Sequence, residues 1–301
     1  MGPTASGKTS IAMQLADNFP MDLVSVDSAL VYRGMDIGAA KPDDDLLSRY
    51  PHRLINLRDP EENYSAGEFV RDAITEIDAI RSTGRIPLLV GGTMMYFRSL
   101  IGGIANLPAA DKAIRSAIDA EAKLSGWPAM HRELAELDPV AAEKINPNDS
   151  QRIQRALEVY RASGRRLSDW QADTLPVRES LEFIKIALIP EPRAELHARI
   201  AVRLEDMLKS GFVDEVQRLM SRPGLTADHS SMRAVGYRQY WAHLQGEFDA
   251  GEAQSKALAA TRQLAKRQLT WLRSEEDLFV VNPLETDAYA TISSHLVSRN
   301  I

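Results

Sequence analysis

Residues 2–9 read GPTASGKT, a glycine followed after four residues by Gly-Lys-Thr. This spacing is that of a phosphate-binding P-loop. Backbone N–H groups of residues 4–9 would cradle phosphate oxygens, Lys8 would reach the terminal phosphate, and Thr9 would offer its hydroxyl to Mg²⁺. The helix that follows adds positive potential at its N-terminus. Gly2, Pro3, Thr4, Ala5, Ser6, Gly7, Lys8 and Thr9 are therefore the candidate diphosphate or nucleotide site. The loop alone leaves the chemistry open. A phosphoryl group could move, as in a kinase or NTPase, or a diphosphate could depart from carbon while the loop stabilises its charge. Asp27, ending the run DLVSVDS, is a candidate general base in either case; its alternative is a Mg²⁺-shell or helix-capping carboxylate. Thr93, after Gly91-Gly92, could hydrogen-bond a substrate or simply close a turn.

These residues need a scaffold that places them together. TSIAMQLADNF carries apolar residues at helical spacing after the loop, and DLVSVDS reads as a buried strand with an acid at its carboxyl end. Ser65 and Glu68 have capping-box spacing before an amphipathic run that Gly84 stops. IPLLVGG is a second continuous apolar strand. Strands alternating with helices predict an α/β fold with a parallel P-loop sheet. From about residue 111 the period turns helical, and in SQRIQRALEVYRASG the stripe Ile153, Ala156, Leu157 and Tyr160 is predicted to be buried, with Gln151 and Arg155 turned away. A strand-like run, LEFIKIALI at 181–189, is expected to rejoin the sheet, and the remainder reads as helical. The expected organisation is a catalytic core of residues 1–110 and 173–301 with a small all-helical insertion at 111–172 and a helical C-terminal part.

The 301 residues are 44% hydrophobic and 26% charged, an ordinary globular mix. Cysteine is absent, which excludes disulfides, thiolate zinc sites and cysteine nucleophiles. The histidines at 52, 131, 197, 229, 243 and 295 show no ligand spacing, so no zinc site is expected. PDDD at 42–45 reads as a solvated loop. No apolar stretch approaches the roughly 20 residues of a membrane span, and a cytoplasmic protein is expected. Net charge is −6, yet residues 151–166 carry five arginines against one glutamate. TRQLAKRQLTWLR, at 261–273, carries Arg262, Lys266, Arg267 and Arg273 with no acid. Arg262, Lys266 and Arg273 fall within roughly 40° on an ideal helical wheel. Such local patches can grip a polyanion despite the acidic total, or can be ordinary solvated faces.

Several long segments together resemble one family, the bacterial tRNA dimethylallyltransferases, also called tRNA isopentenyltransferases. They are GPTASGKT, SVDSALVYRGMDIGAAKP (25–42), LVGGT (89–93), NDSQRIQRALEVYRASG (148–164), SMRAVGYRQ (231–239) and ATRQLAKRQLTWLR (260–273). The resemblance runs nearly end to end. It implies transfer of a dimethylallyl group from dimethylallyl diphosphate, with Mg²⁺, to N6 of the adenosine immediately 3′ of the anticodon in tRNA. The loop would then hold the prenyl donor, with Lys8, Asp27 and Thr93 catalytic. By motif, Asp27, Ser28, Ala29, Leu30 and Thr93 would meet the tRNA at the target adenosine. Arg115 with Gln151, Arg152, Ile153, Gln154 and Arg155 would form a further tRNA-contacting set. So would Arg233, Ala234, Val235, Gly236, Tyr237 and Arg238, and so would Lys266, Arg267, Gln268, Leu269, Thr270, Trp271, Leu272 and Arg273. The helical insertion would be able to move onto the anticodon stem-loop, and the enzyme is expected to be a monomer.

The chain departs from the family's commoner forms D-S-M-Q, I-G-T-A-K and G-G-T-G-L-Y at Ala29-Leu30, Ala39 and Met94-Met95. Leu30 cannot supply the amide hydrogen bonds of a glutamine. The family also has an apolar strand just before the P-loop, whereas this sequence starts at Met1; the expectation is that Met1 is an internal methionine and the start codon has been placed too late. Three rival functions remain at this point. An adenylate isopentenyltransferase would share the loop and the aspartate but prenylate a free nucleotide. A P-loop nucleotide kinase or NTPase would leave both basic segments unexplained. A tRNA-binding protein without catalysis would bind tRNA and yield no product.

Overall fold

The strand that leads into Asp27 lies at the centre of the first sheet. Its residues Leu23, Val24, Ser25 and Val26 are all buried, as expected of a strand flanked on both sides in a parallel sheet. The computed structural model describes residues 1–174, 181–285 and 287–301. They divide into two compact units, Met1–Arg98 with Glu182–Ile301, and Ser99–Leu181.

In the first unit the P-loop leads into α1 (Lys8–Asn18), which begins beyond Gly7 in a left-handed conformation, φ 89°, where a glycine costs least. β1 (Met21–Val26) follows, then α2 (Asp44–Arg49), β2 (His52–Arg53), α3 (Ala66–Ser82), β3 (Ile86–Gly91) and α4 (Met94–Gly102), in which the first unit gives way to the second after Arg98. β2 and β3 flank β1 in parallel, and Val26 registers with Gly91. The capping box forms as the spacing predicts: Ser65 Oγ accepts from Glu68 N, and the Glu68 carboxylate accepts from Ser65 N at 2.8 Å. PDDD, expected as a loop, instead starts a helix, because the Asp43 carboxylate accepts the free Leu46 amide of α2 at 2.8 Å.

The second unit contains α5 (Lys112–Ser125), α6 (Trp127–Leu137), α7 (Pro139–Lys144), α8 (Ser150–Ser163) and α9 (Leu167–Ala172). Ile153, Ala156 and Leu157 are buried as the period predicts, together with Val159, whereas Tyr160 is half-buried. The period did not reveal Glu158, whose side chain is fully buried. Its carboxylate accepts from Asp111 N (2.8 Å), from Arg115 Nε and Nη2 (2.9 and 3.2 Å) and from Arg155 Nη1 (2.7 Å). Burial is the largest single influence and raises its pKa. The two guanidiniums and the amide together outweigh burial and hold the carboxyl below its ordinary 4.5. The stability this carboxylate contributes is therefore full above the unfolded value and lost as pH falls through the lowered folded one. Thermal melts of wild type and Glu158→Gln should differ most near neutrality and converge in acid. A gap that stays constant down to about pH 2 would exclude the carboxylate as its source.

The chain returns to the first unit with β4 (Lys185–Leu188), α10 (Arg193–Lys209), α11 (Phe212–Met220), α12 (Tyr237–Leu244), α13 (Ala250–Arg273), β5 (Leu278–Val281) and α14 (Ala288–Ser298). The strand expected at 181–189 forms, but its ladder among the described residues is with β5, in parallel, and not with the three-stranded sheet. β5 lies in the stretch whose sequence predicts helix, and four residues are too few to show a period of two. The Met1 backbone lies along β4, donating to Ile186 O at 2.7 Å and accepting from Leu188 N at 3.0 Å. Both ladders share one core, in which Ile86 and Leu88 of β3, Ile186 and Leu188 of β4, and Val281 of β5 pack with Leu15, Ile292 and Leu296. A second core seats Val31, Tyr32 and Met35, from the segment after Asp27, against Phe212, Val216, Tyr237 and Tyr240. Burying each such side chain contributes about 1.5–3 kcal/mol, which fixes the segment leading out of the site. Among the described residues no helix is long and apolar enough to cross a membrane.

Candidate active site

A cavity of about 530 Å³ opens at the carboxyl ends of β1 and β3, lined by P-loop residues, by Asp27 and Thr93, and by parts of α10 and α13. This is where parallel α/β sheets bind ligands. The loop is packed tightly at its start: a Cβ on Gly2 would sit 2.6 Å from Leu188 O. Lys8 Nζ donates to Pro3 O at 2.6 Å and lies 3.4 Å from Ser6 Oγ. Burial pushes the Lys8 ammonium down to about 8, with the Asp27 charge opposing the shift and Arg203 reinforcing it. Arg203 is likewise lowered by burial and supported by Asp27. Lys8 and Arg203 thus bring two positive charges to one cavity, an arrangement suited to a multiply charged anion.

Asp27 is held at the end of β1 by a tight turn in which its Oδ1 accepts from Ala29 N at 2.8 Å and Leu30 N at 3.4 Å. Thr93 is locked beside it. Its amide donates to Val26 O at 3.2 Å, and its hydroxyl accepts from Ser28 N at 3.0 Å and reaches Ser28 Oγ at 3.3 Å. The two glycines before Thr93 permit this approach: a Cβ on Gly91 would lie 2.0 Å from Val26 O, and one on Gly92 would lie 2.6 Å from Gln268 Nε2.

Of the residues singled out in the sequence, Thr4, Lys8, Thr9, Asp27, Ser28, Ala29, Leu30 and Thr93 line this one cavity, as do Arg233, Ala234, Val235, Gly236, Tyr237, Arg267, Gln268 and Trp271. The amide of Thr4 is not directed to a ligand but donates to Gln268 Oε1 at 2.9 Å. Tyr237 is 1% exposed and donates its hydroxyl to Glu215 Oε1 at 2.6 Å. Leu269 and Leu272 are buried in the core, Thr270 Oγ1 donates to Lys266 O, and Arg238 and Arg273 are exposed. Lys266 lines a separate cleft with Arg193, His197 and Arg262. Arg115 and residues 151–155 belong to the second unit, where Ile153 is core, Gln154 donates to Asp119 at 2.7 Å and Arg152 pairs with Asp149 at 3.3 Å.

Three residues important to this geometry were not found by sequence reasoning. Arg203 could have been noticed as an arginine three residues beyond Ile200, on the inner face of an amphipathic helix. Glu215 on α11 carried no signal: its carboxylate accepts from the amides of Asp36 (3.1 Å), Ile37 (2.8 Å) and Gly38 (3.1 Å). Lys41, whose ammonium holds Tyr32 O, Asp36 and Asn56 at 2.7–2.8 Å, completes the same anchorage.

Residues 30–275 match the family described as IPP transferase. The chain is 54% identical over 287 residues to a tRNA dimethylallyltransferase of Nitrosococcus oceani, covering 95% of this chain and 91% of that one. It is 51% identical over 317 residues to tRNA dimethylallyltransferase 2 of Hahella chejuensis, covering 100% and 96%. The fold superimposes on the crystal structure of the full-length tRNA isopentenylpyrophosphate transferase of Bacillus halodurans with a TM-score of 0.71, at 33% identity and with 99% and 94% of the two chains covered. With relatives this similar over nearly the whole of both chains, and with the P-loop, Asp27 and Thr93 around one cavity, this chain belongs to the IPP transferase family, among the bacterial tRNA dimethylallyltransferases.

Proposed function

We propose that the enzyme transfers the dimethylallyl group of dimethylallyl diphosphate to N6 of the adenosine immediately 3′ of the anticodon in tRNA. The observation that carries this reading is the single cavity shared by a phosphate loop, an aspartate and threonine at the strand ends, and two segments with exposed arginines, Arg233 and Arg267. In the transfer, the bond from N6 to the allylic carbon forms and the bond from that carbon to the diphosphate oxygen breaks, the electron pair leaving with the diphosphate. Lys8 and Arg203 offset the charge that develops there. The exocyclic amine is a weak nucleophile because its lone pair is delocalised, so Asp27 takes its proton as the new bond forms. Oδ1 of Asp27 is engaged by two amides, which leaves Oδ2 for that proton. The adenine must leave its stack to enter the cavity.

The residues present fit Mg²⁺. Thr9 brings a hard hydroxyl oxygen to the cavity beside Lys8, and Mg²⁺ favours one or two protein ligands completed by phosphate oxygens and water. Among the described residues no group of three or more His, Cys, Asp or Glu is clustered to hold a metal. When bound, Mg²⁺ neutralises part of the diphosphate charge.

The test is transfer of label from dimethylallyl diphosphate with unmodified tRNA, AMP and ATP offered in parallel. Label on tRNA alone is expected. Label on AMP would move the enzyme to nucleotide prenylation, and phosphate release from ATP without prenyl transfer would replace the donor assignment.

A further inference from the structure

Gln268 stands apart from the neighbouring residues of α13. It is 8% exposed, lies among buried Ala265, Leu269 and Leu272, and reaches out of the helix at both ends of its amide. Oε1 accepts from Thr4 N at 2.9 Å, and Nε2 donates to Gly92 O at 2.7 Å. The amide's orientation is set by its partners, since one is a donor only and the other an acceptor only. Among the described residues no other hydrogen bond joins the loop 2–9 to the turns that carry Asp27 and Thr93. Gly92 is pressed against this amide, for a Cβ there would lie 2.6 Å from Nε2 and 3.3 Å from Gly2 O. A single side chain therefore ties the loop that holds Lys8 to the residue next to Thr93, and Thr93 in turn holds Ser28, next to Asp27.

We infer that Gln268 is a positioning residue for prenyl transfer: it sets the separation between the diphosphate loop and the Asp27–Thr93 end of the cavity, and does not act by contacting tRNA. This rests on the function proposed above. A prenyl donor anchored at one end must present its reacting carbon to an amine deprotonated at the other. A misplacement of about 1 Å between such groups costs on the order of 10²-fold in rate.

The test compares wild type, Gln268→Leu and Gln268→Glu in single-turnover transfer at saturating dimethylallyl diphosphate and tRNA, with tRNA affinity measured separately at one salt concentration. Gln268→Leu removes both bonds, and its saturated rate is expected to fall roughly 10–100-fold while tRNA affinity stays within about twofold. Gln268→Glu keeps the acceptor for Thr4 but, when ionised, turns an oxygen toward the Gly92 carbonyl. Once protonated it can donate there again, and burial raises a carboxyl's pKa into the range where enzymes are assayed. Its deficit relative to wild type is therefore expected to shrink as pH falls from about 8 to about 5.5. Loss of tRNA affinity with an unchanged saturated rate would overturn the inference, as would a Gln268→Glu deficit that does not depend on pH. Wild-type label on tRNA tests the underlying reading, and only the variant-to-wild-type ratios test this one.

Discussion

Asp27→Asn is expected to slow prenyl transfer by about 10²–10⁴-fold, the range contributed by a positioned general base. The substitution is nearly isosteric. Its amide oxygen can still accept from Ala29 N, so the turn that seats the residue survives. What is lost is a site for the N6 proton, and with it the driving force for bond formation. Single-turnover rates at saturating substrates isolate this effect from binding, and tRNA affinity should change little. A variant transferring at the wild-type rate would show that the proton leaves directly to water and that Asp27 only shapes the turn.

Glu215→Gln is expected to cost about 3 kcal/mol, because a buried carboxylate accepting several hydrogen bonds is replaced by a group that must donate at one end. All four partners are donors: the amides of Asp36, Ile37 and Gly38 and the hydroxyl of Tyr237. Whichever way the new amide turns, its NH₂ faces a donor. The loss corresponds to a melting temperature lower by about 5 °C in a chain of 301 residues. The loop carrying Gly38 and Ala39 also lines the cavity, so weaker substrate binding should accompany the lower stability. Calorimetry together with KM for each substrate checks both. A melt within a degree of wild type would mean that the four donors find other acceptors.

The parts of the site that could be read in the sequence are those whose function is local. GPTASGKT, Asp27 after its strand and Thr93 after its glycines each carry their signal within a few residues, as does the Ser65–Glu68 capping box. What could not be read depends on partners brought together by the fold. Thr4 and Gln268 are 264 positions apart, and Glu215 lies 178 from Ile37; nothing in the local pattern links them. The buried glutamate of the second unit was hidden for a related reason. In a helix rich in arginine, one acid reads as surface charge until the fold closes around it. The placement of β4 beside β5 required knowing that LFVV is a strand, and four residues after a long helix do not reveal that.

The loop of residues 36–39 is gripped through its main chain. Glu215 takes three successive amides, and the Tyr237 hydroxyl accepts the fourth, from Ala39, at 3.1 Å. A grip on peptide groups does not depend on the identity of the side chains attached to them, and evolution is then free to vary those side chains. The alanine at 39, where the commoner form has threonine, keeps its hydrogen bond and leaves the anchorage intact. Gly38 has no such freedom: a Cβ there would fall 2.1 Å from the Phe212 ring. Within four residues, therefore, one position can drift and its neighbour cannot, and the difference is decided by aromatic packing from a helix far along the chain.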